Sequence, residues 1–278
     1  MSSYDVRGDS LESAVLLVTE KFPDPDVSPP RNEVYRMRGG TWTREAAPPR
    51  SRFLDVAAVG AHTVAISWAG RSSPSTLVAV EGGAKAKSRN LVSSPPPSTE
   101  SCSPGGPSSL AVAPQGLVAT IRAGCVGRRE WIEIIDPNQG SLGHVPVPEP
   151  RGGWVALAWL GGGALLAVVE IPEEPRPRRA LYRIDGLSAT RFQDVSLDSG
   201  STVSPGADGS VLVTTETEYV VIDATGKQVE PRRWPAALGL RSLGSSAAGR
   251  VARGKDGALY VEIRDDTSRV MRCAPPGP

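Results

Sequence analysis

The stretch "LYRIDGL", residues 181–187, alternates apolar and polar positions, reaches an acid and breaks at glycine. A period of two puts alternate side chains on one face of a strand, and Gly186 then opens a turn. Variants of it recur along the chain. They are "VYRMRGG" (34–40), "LVAVEGG" (77–83), "WIEIIDPNQG" (131–140), "YVVIDATG" (219–226) and the degenerate "RVMRCAPPG" (269–277).

A second marker precedes each of these. It is a glycine turn followed by an apolar strand, as in "VGAHTVAIS", "APQGLVATI", "LGGGALLAVV", "GADGSVLVTT" and "GKDGALYVEI". The turn glycines are set at Gly60, Gly116, Gly162, Gly209 and Gly257, with a first turn near residue 10. The spacing is roughly 46 residues, enough for four short strands. The longest step, from Gly60 to Gly116, contains a Pro/Ser-rich insertion at about residues 93–109. Each repeat reads as an inner strand ("FLDVAAV", "WVALAWL"), a second strand ("ALLAVV"), a third of the "LYRID" type and a polar outer strand ("TWTREA"). The expected fold is all-β: one six-bladed β-propeller domain of four-stranded antiparallel blades over residues 1–278. "SYDVRG" fits either the inner strand of the first blade or the outer strand of the last. The "APPGP" that follows Cys273 makes a poor strand, because proline cannot donate to a ladder.

Composition agrees. Of 278 residues, 39% are apolar, which supports a core, and the 30 glycines and 26 prolines suit many turns rather than a helical bundle. A formal net charge of +1 gives no general reason to bind nucleic acid or an anionic membrane. No apolar run approaches the roughly 18 residues of a membrane span. The N-terminus lacks the basic and apolar regions of a signal peptide. The chain as it stands reads as cytoplasmic, and as exported if a signal lies upstream. A monomer is expected. Cys102 and Cys125 sit in loops of neighbouring repeats, where a disulfide and two free thiols are both open, and Cys273 is left unpaired. No Cys/His cluster exists, so neither a metal nor a cofactor is expected.

Two turns carry a family resemblance. "SPGADGSVLV" resembles the Ser-Pro-Asp-Gly turn of TolB-type and related WD40-like repeats. "GKDGALYV" resembles the corresponding strand of NHL repeats. Asp-Gly suits a tight turn with positive φ, so the resemblance implies a fold and says little about activity.

No catalytic set is visible. His62 and His144 fall in different repeats and read as turn or surface residues. There is no GxSxG elbow and no P-loop, and the glycines of "GWVALAWLGGGALLAVV" lie between two strands, as in a hairpin. Propellers of the lactonase type hold a cation with channel carboxylates, but here Asp55 is the clearest inner-strand acid.

The suggestive feature is the set of loops joining second to third strands, which share one face of a propeller. They carry Arg71; then Arg122, Arg128 and Arg129; then Arg176, Arg178 and Arg179; then Arg264. Trp68, at the end of "VAISW", is the aromatic best placed to stack on a ligand, with core packing as the plainer role. This face suits a protein partner or an anionic ligand. The competing account is a solvated rim in which Glu173, Glu174, Asp265 and Asp266 neutralise the arginines. The alternative function is a propeller enzyme, a hydrolase, lactonase or lyase, working through central-channel residues.

Overall fold

The computed structural model describes residues 2–7, 14–20, 32–45, 52–60, 62–68, 76–81, 87–91, 107–122, 130–192, 195, 197–206, 208–215, 218–229, 232–233, 248–254, 256–263 and 269–273. Among the described residues there are strands and turns and no helix. The strands form six antiparallel sheets, each running through its strands in chain order.

The unit Met1–Pro146 holds three sheets. Sheet one is β1 (Ser2–Arg7), β2 (Val15–Glu20), β3 (Asn32–Arg38) and β4 (Thr41–Glu45). Sheet two is β5 (Arg52–Val59), β6 (His62–Trp68), β7 (Thr76–Glu81) and β8 (Lys87–Asn90). Sheet three is β9 (Pro107–Val112), β10 (Val118–Arg122), β11 (Trp131–Asp136) and β12 (Gly140–Pro146). The unit Val147–Pro278 holds the rest. Sheet four is β13 (Gly153–Trp159), β14 (Leu165–Ile171), β15 (Arg178–Asp185) and β16 (Ser188–Phe192). Sheet five is β17 (Thr202–Pro205), β18 (Val211–Thr214), β19 (Glu218–Ile222) and β20 (Arg232–Arg233). Sheet six is β21 (Ala248–Arg253), β22 (Leu259–Ile263) and β23 (Arg269–Cys273).

The position of "SYDVRG" is now plain. Its residues 3–7 lie in β1, and Val6 pairs with Leu16 of β2, so the stretch opens sheet one. Sheet six ends at β23 among the described residues. The turn near residue 10, residues 93–106 of the insertion, Cys102 and Cys125 lie outside the described residues. Cys273 is a free thiol that burial pushes above its usual pKa.

The second strands explain why the sheets stack. Every residue of β10 and of β18 is buried, whereas β4 and β16 are mostly exposed. A strand covered on both faces needs apolar residues at successive positions, not alternating ones. In β18, Val211 and Val213 pack with Leu166, Val168 and Leu181 of sheet four. Leu212 between them packs with Val251, Leu259 and Val261 of sheet six. In β6, Ala65 meets Val15 and Val34 of sheet one, and Val64 and Ile66 meet Val118 and Ile135 of sheet three. Truncating such a residue, Leu212→Ala for example, removes contact on one whole sheet face and costs about 2–5 kcal/mol.

The turns are built from glycine and an acid. Gly209 has φ +77°, and a Cβ there would lie 2.9 Å from the Cα of Gly161, so both conformation and space exclude a side chain. In sheet four the left-handed residue is Gly163, at φ +91°, not Gly162. Gly162 is constrained by space instead, since its Cβ would meet the Ala224 carbonyl at 2.5 Å. The acid that ends several third strands caps its own turn. Asp136 accepts the Asn138 amide at 2.7 Å, and Asp223 accepts the amides of Thr225 and Lys227, each at 2.9 Å. The hydroxyl of Thr225 and these amides hold Asp223 below the usual carboxylate pKa.

Candidate functional site

The loop between β14 and β15 is the strand-two-to-three loop described in full. Residues 172–178 are all exposed, and three of them are prolines. The antiparallel ladder closes the loop at its base, pairing Ile171 with Arg178 and Glu170 with Arg179.

The three arginines of this loop have different surroundings. Arg179 donates through Nε and Nη2 to one oxygen of Glu170, at 3.1 and 2.7 Å. Its Nη1 reaches the carbonyl of Ser201 at 2.5 Å. Ser201 is buried, and its hydroxyl donates to Asp198 at 2.8 Å, holding the turn that enters β17. Arg179 therefore ties the loop of sheet four to the first strand of sheet five. Arg178 pairs with Glu173 at 3.2 Å, both half exposed, a geometry that leaves the guanidinium open to exchange. Arg176 is exposed and has no ion-pair partner among the described residues.

Arg122 has a different role. It is the last residue of β10 and only 5% exposed. Its Nη1 lies 3.3 Å from Glu133, which is fully buried, and its guanidinium carbon lies 5.8 Å from the Trp131 ring centre. Burial lowers its pKa and Glu133 pushes the other way. Arg122 is an internal residue of sheet three. Trp68 is the last residue of β6 and pairs with Arg52, and its side chain lies outside the description. Arg71, Arg128, Arg129 and Arg264 lie outside the described residues.

His62 sits 3.3 Å from the side-chain oxygen of Asn138, and His144 is exposed on β12. Asp55 on β5 accepts the Val56 amide at 3.0 Å. Among the described residues no three His, Cys, Asp or Glu side chains gather to hold a metal.

Two sets of polar residues went unread in the sequence. Arg36 and Arg183 occupy equivalent positions on third strands, in "VYRM" and "LYRI". Arg36 donates to the His62 carbonyl at 3.0 Å and to the Gly60 carbonyl, joining sheets one and two. Arg183 bonds Asp185 at 2.8 Å and the Thr225 carbonyl at 3.3 Å, joining sheets four and five. The sequence signal for them is the repeated Tyr-Arg pair, Tyr35-Arg36 and Tyr182-Arg183. The second set is Tyr182, Glu149 and Trp154. The phenol donates to Glu149 at 2.5 Å, and Trp154 meets its ring edge-on at 6.0 Å. Burial and Glu149 push the Tyr182 pKa up to about 12.

No family model matches the chain, and no curated protein matches it in sequence. Solved structures do match in shape. The β-propeller domain of the Trilobed protease from Pyrococcus furiosus superposes with TM-score 0.59 at 10% identity, over 98% of this chain and 82% of that one. The fold is a β-propeller. An acylaminoacyl peptidase solved with Z-Gly-Gly-Phe-chloromethyl ketone gives TM-score 0.61 at 7% identity, over 98% of this chain and 44% of that one. A puromycin-hydrolyzing peptidase of Mycobacterium tuberculosis gives 0.56 at 13%, over 99% of this chain and 42% of that one. This propeller thus spans less than half the length of either peptidase chain. At these identities the likeness is one of fold, and activity does not travel with it. Within each unit the propeller reading accounts for second strands buried between two sheets, β6 between sheets one and three and β18 between sheets four and six, and for the mostly exposed β4 and β16.

Proposed function

We propose that the chain is a non-enzymatic β-propeller that binds an acidic protein segment or another anionic ligand through its strand-two-to-three loops. One observation carries this reading: the 172–178 loop holds Arg176 and Arg178 exposed on a proline-stiffened segment, while Arg179 behind them is fastened to Glu170 and Ser201. A loop already ordered loses little entropy on binding, and guanidinium groups suit carboxylates and phosphates. Glu173 and Glu174 temper the positive charge of the loop and would select against weakly charged ligands.

A titration with fluorescein-labelled octaglutamate tests the reading. Saturable binding that weakens as salt rises supports it, and no binding at low salt contradicts it.

A second reading has one observation in its favour. Two of the similar structures bear peptidase names and one belongs to a protease. On that reading the propeller takes part in a hydrolase, and a screen with ester, lactone and peptide substrates would reveal turnover. Within propellers, two turns support a place beside TolB-type and NHL-type repeats. Asp208 accepts the Ser210 amide at 3.1 Å and Asp256 accepts the Ala258 amide at 3.0 Å, the role that an Asp-Gly turn requires.

A further inference from the structure

Two further arginines, Arg151 and Arg191, are exposed at the end of sheet four that carries the 172–178 loop. The ladder places the first. Gly153 pairs with Glu170, and Glu170 with Arg179, so the turn leading into β13 leaves the sheet beside the loop. Gly152 fits that place closely, since a Cβ on it would lie 2.6 Å from a Val169 methyl and 3.3 Å from the Glu170 carbonyl oxygen. The Gly152 amide donates to the Glu149 carbonyl at 3.2 Å, which closes the turn with Arg151 in its third position.

Tyr182 places the second. It lies directly opposite Arg191 in the β15–β16 ladder, and Arg178 stands four residues before it on β15. Opposed residues share a face of a sheet, as do residues an even number apart on one strand, so Arg178, Tyr182 and Arg191 lie on one face. The Tyr182 hydroxyl donates to Glu149 at 2.5 Å, which holds the turn of Arg151 against that face. Burial and Glu149 raise the Tyr182 pKa while Arg191 and Arg178 lower it, so both guanidiniums act on the phenol.

Arg151, Arg176, Arg178 and Arg191 therefore surround one end of the sheet, with Glu149, Glu173 and Glu174 among them. Glu149 is engaged by Tyr182 and Glu173 by Arg178. In the order β13-β14-β15-β16, the strands next to Arg151 and bearing Arg191 stand three spacings apart, about 14 Å. One carboxylate or phosphate group is much smaller than that span, and an extended chain covers it in about four residues.

We propose that Arg151 and Arg191 extend the binding surface of the 172–178 loop across the end of sheet four, and that its ligand is an extended acidic segment of a partner protein, at least about four residues long. The inference rests on the loop reading and names the partner of that site. Guanidinium groups suit carboxylates, and both segments beside the site are stiffened by exposed prolines, 148 and 150 in one and 172, 175 and 177 in the other.

The test is fluorescence anisotropy with fluorescein-labelled octaglutamate at low salt, using the full chain, R151S/R191S, R151K/R191K and R176S/R178S. R151S/R191S should bind at least roughly fivefold more weakly than the parent at an unchanged urea midpoint, and R151K/R191K should restore most of the loss. Unlabelled hexaglutamate should displace the probe at least roughly tenfold better than diglutamate or inorganic phosphate. Equal affinity of R151S/R191S and the parent, with R176S/R178S weakened, overturns this proposal and leaves the loop reading standing. Diglutamate or phosphate competing as well as hexaglutamate also overturns it. A parent chain that binds no octaglutamate ends both.

Discussion

Arg179 and Glu170 face each other directly across the β14–β15 ladder, and the same guanidinium continues to the carbonyl of Ser201 in the next sheet. This makes Arg179 a joint and leaves Arg176 and Arg178 as the residues facing solvent. The three arginines lie within four residues of one another, yet only Arg179 is fastened to the neighbouring sheet.

That division can be measured. Arg179→Ala should lower the unfolding free energy by about 1–3 kcal/mol, because it strands the Ser201 carbonyl and removes a charge-assisted bond. Arg176→Ala should stay within about 0.5 kcal/mol of the parent. Urea midpoints of the two variants check this, and equal midpoints would remove the joint from the account.

The pair Arg122–Glu133 should behave as a buried ion pair. Glu133→Gln alone leaves a buried guanidinium without its counter-charge and should cost about 3–5 kcal/mol. The double variant R122M/E133L should recover much of that loss, since two apolar side chains carry no desolvation cost. A double-mutant cycle by chemical denaturation measures the coupling.

Tyr182 predicts a response to alkali. Its folded pKa, about 12, lies above the unfolded value of about 10. The stabilisation is therefore complete below about pH 10 and is lost as pH rises through the folded pKa. Absorbance titration should show one tyrosine ionising near 12, and Tyr182→Phe should abolish that step and flatten the alkaline limb of the stability curve. At the other end, Asp223 is held low by Thr225 and the turn amides, so its contribution is present at neutral pH and falls away in acid. Asp223→Asn should lessen that acid sensitivity.

The two loop acids make a prediction of opposite sign. Glu173 sits 3.2 Å from Arg178, and Glu174 lies on the same exposed loop. E173Q/E174Q should tighten octaglutamate binding several-fold at low salt, with no change in the urea midpoint. Unchanged affinity would mean that the probe binds elsewhere.

Much of the fold was readable because blade geometry writes itself into local chemistry. Gly209 and Gly257 mark turns that demand positive φ, and the apolar run Val211 to Val213 marks a strand covered on both faces. The place of β1 was not readable, since "SYDVRG" fits two edges equally and pairing between distant strands leaves no local trace. From the sequence Arg122 reads as a loop residue, because it borders a glycine-bearing segment. The clue to its burial lies in Glu133, an acid among isoleucines whose neighbours are all core residues. Such an acid needs a cation inside the sheet. Arg36 and Arg183 were missed for a related reason: their partners are carbonyls of the next sheet, which a sequence does not reveal.

The most direct test of the loop-binding account is octaglutamate affinity, measured by fluorescence anisotropy for the parent chain and for R176S/R178S, with Arg179 left in place to preserve the fold. The account predicts at least roughly tenfold weaker binding for the double variant at low salt, with the difference shrinking as salt rises. Equal affinity for the two chains, at matched urea midpoints, would contradict it.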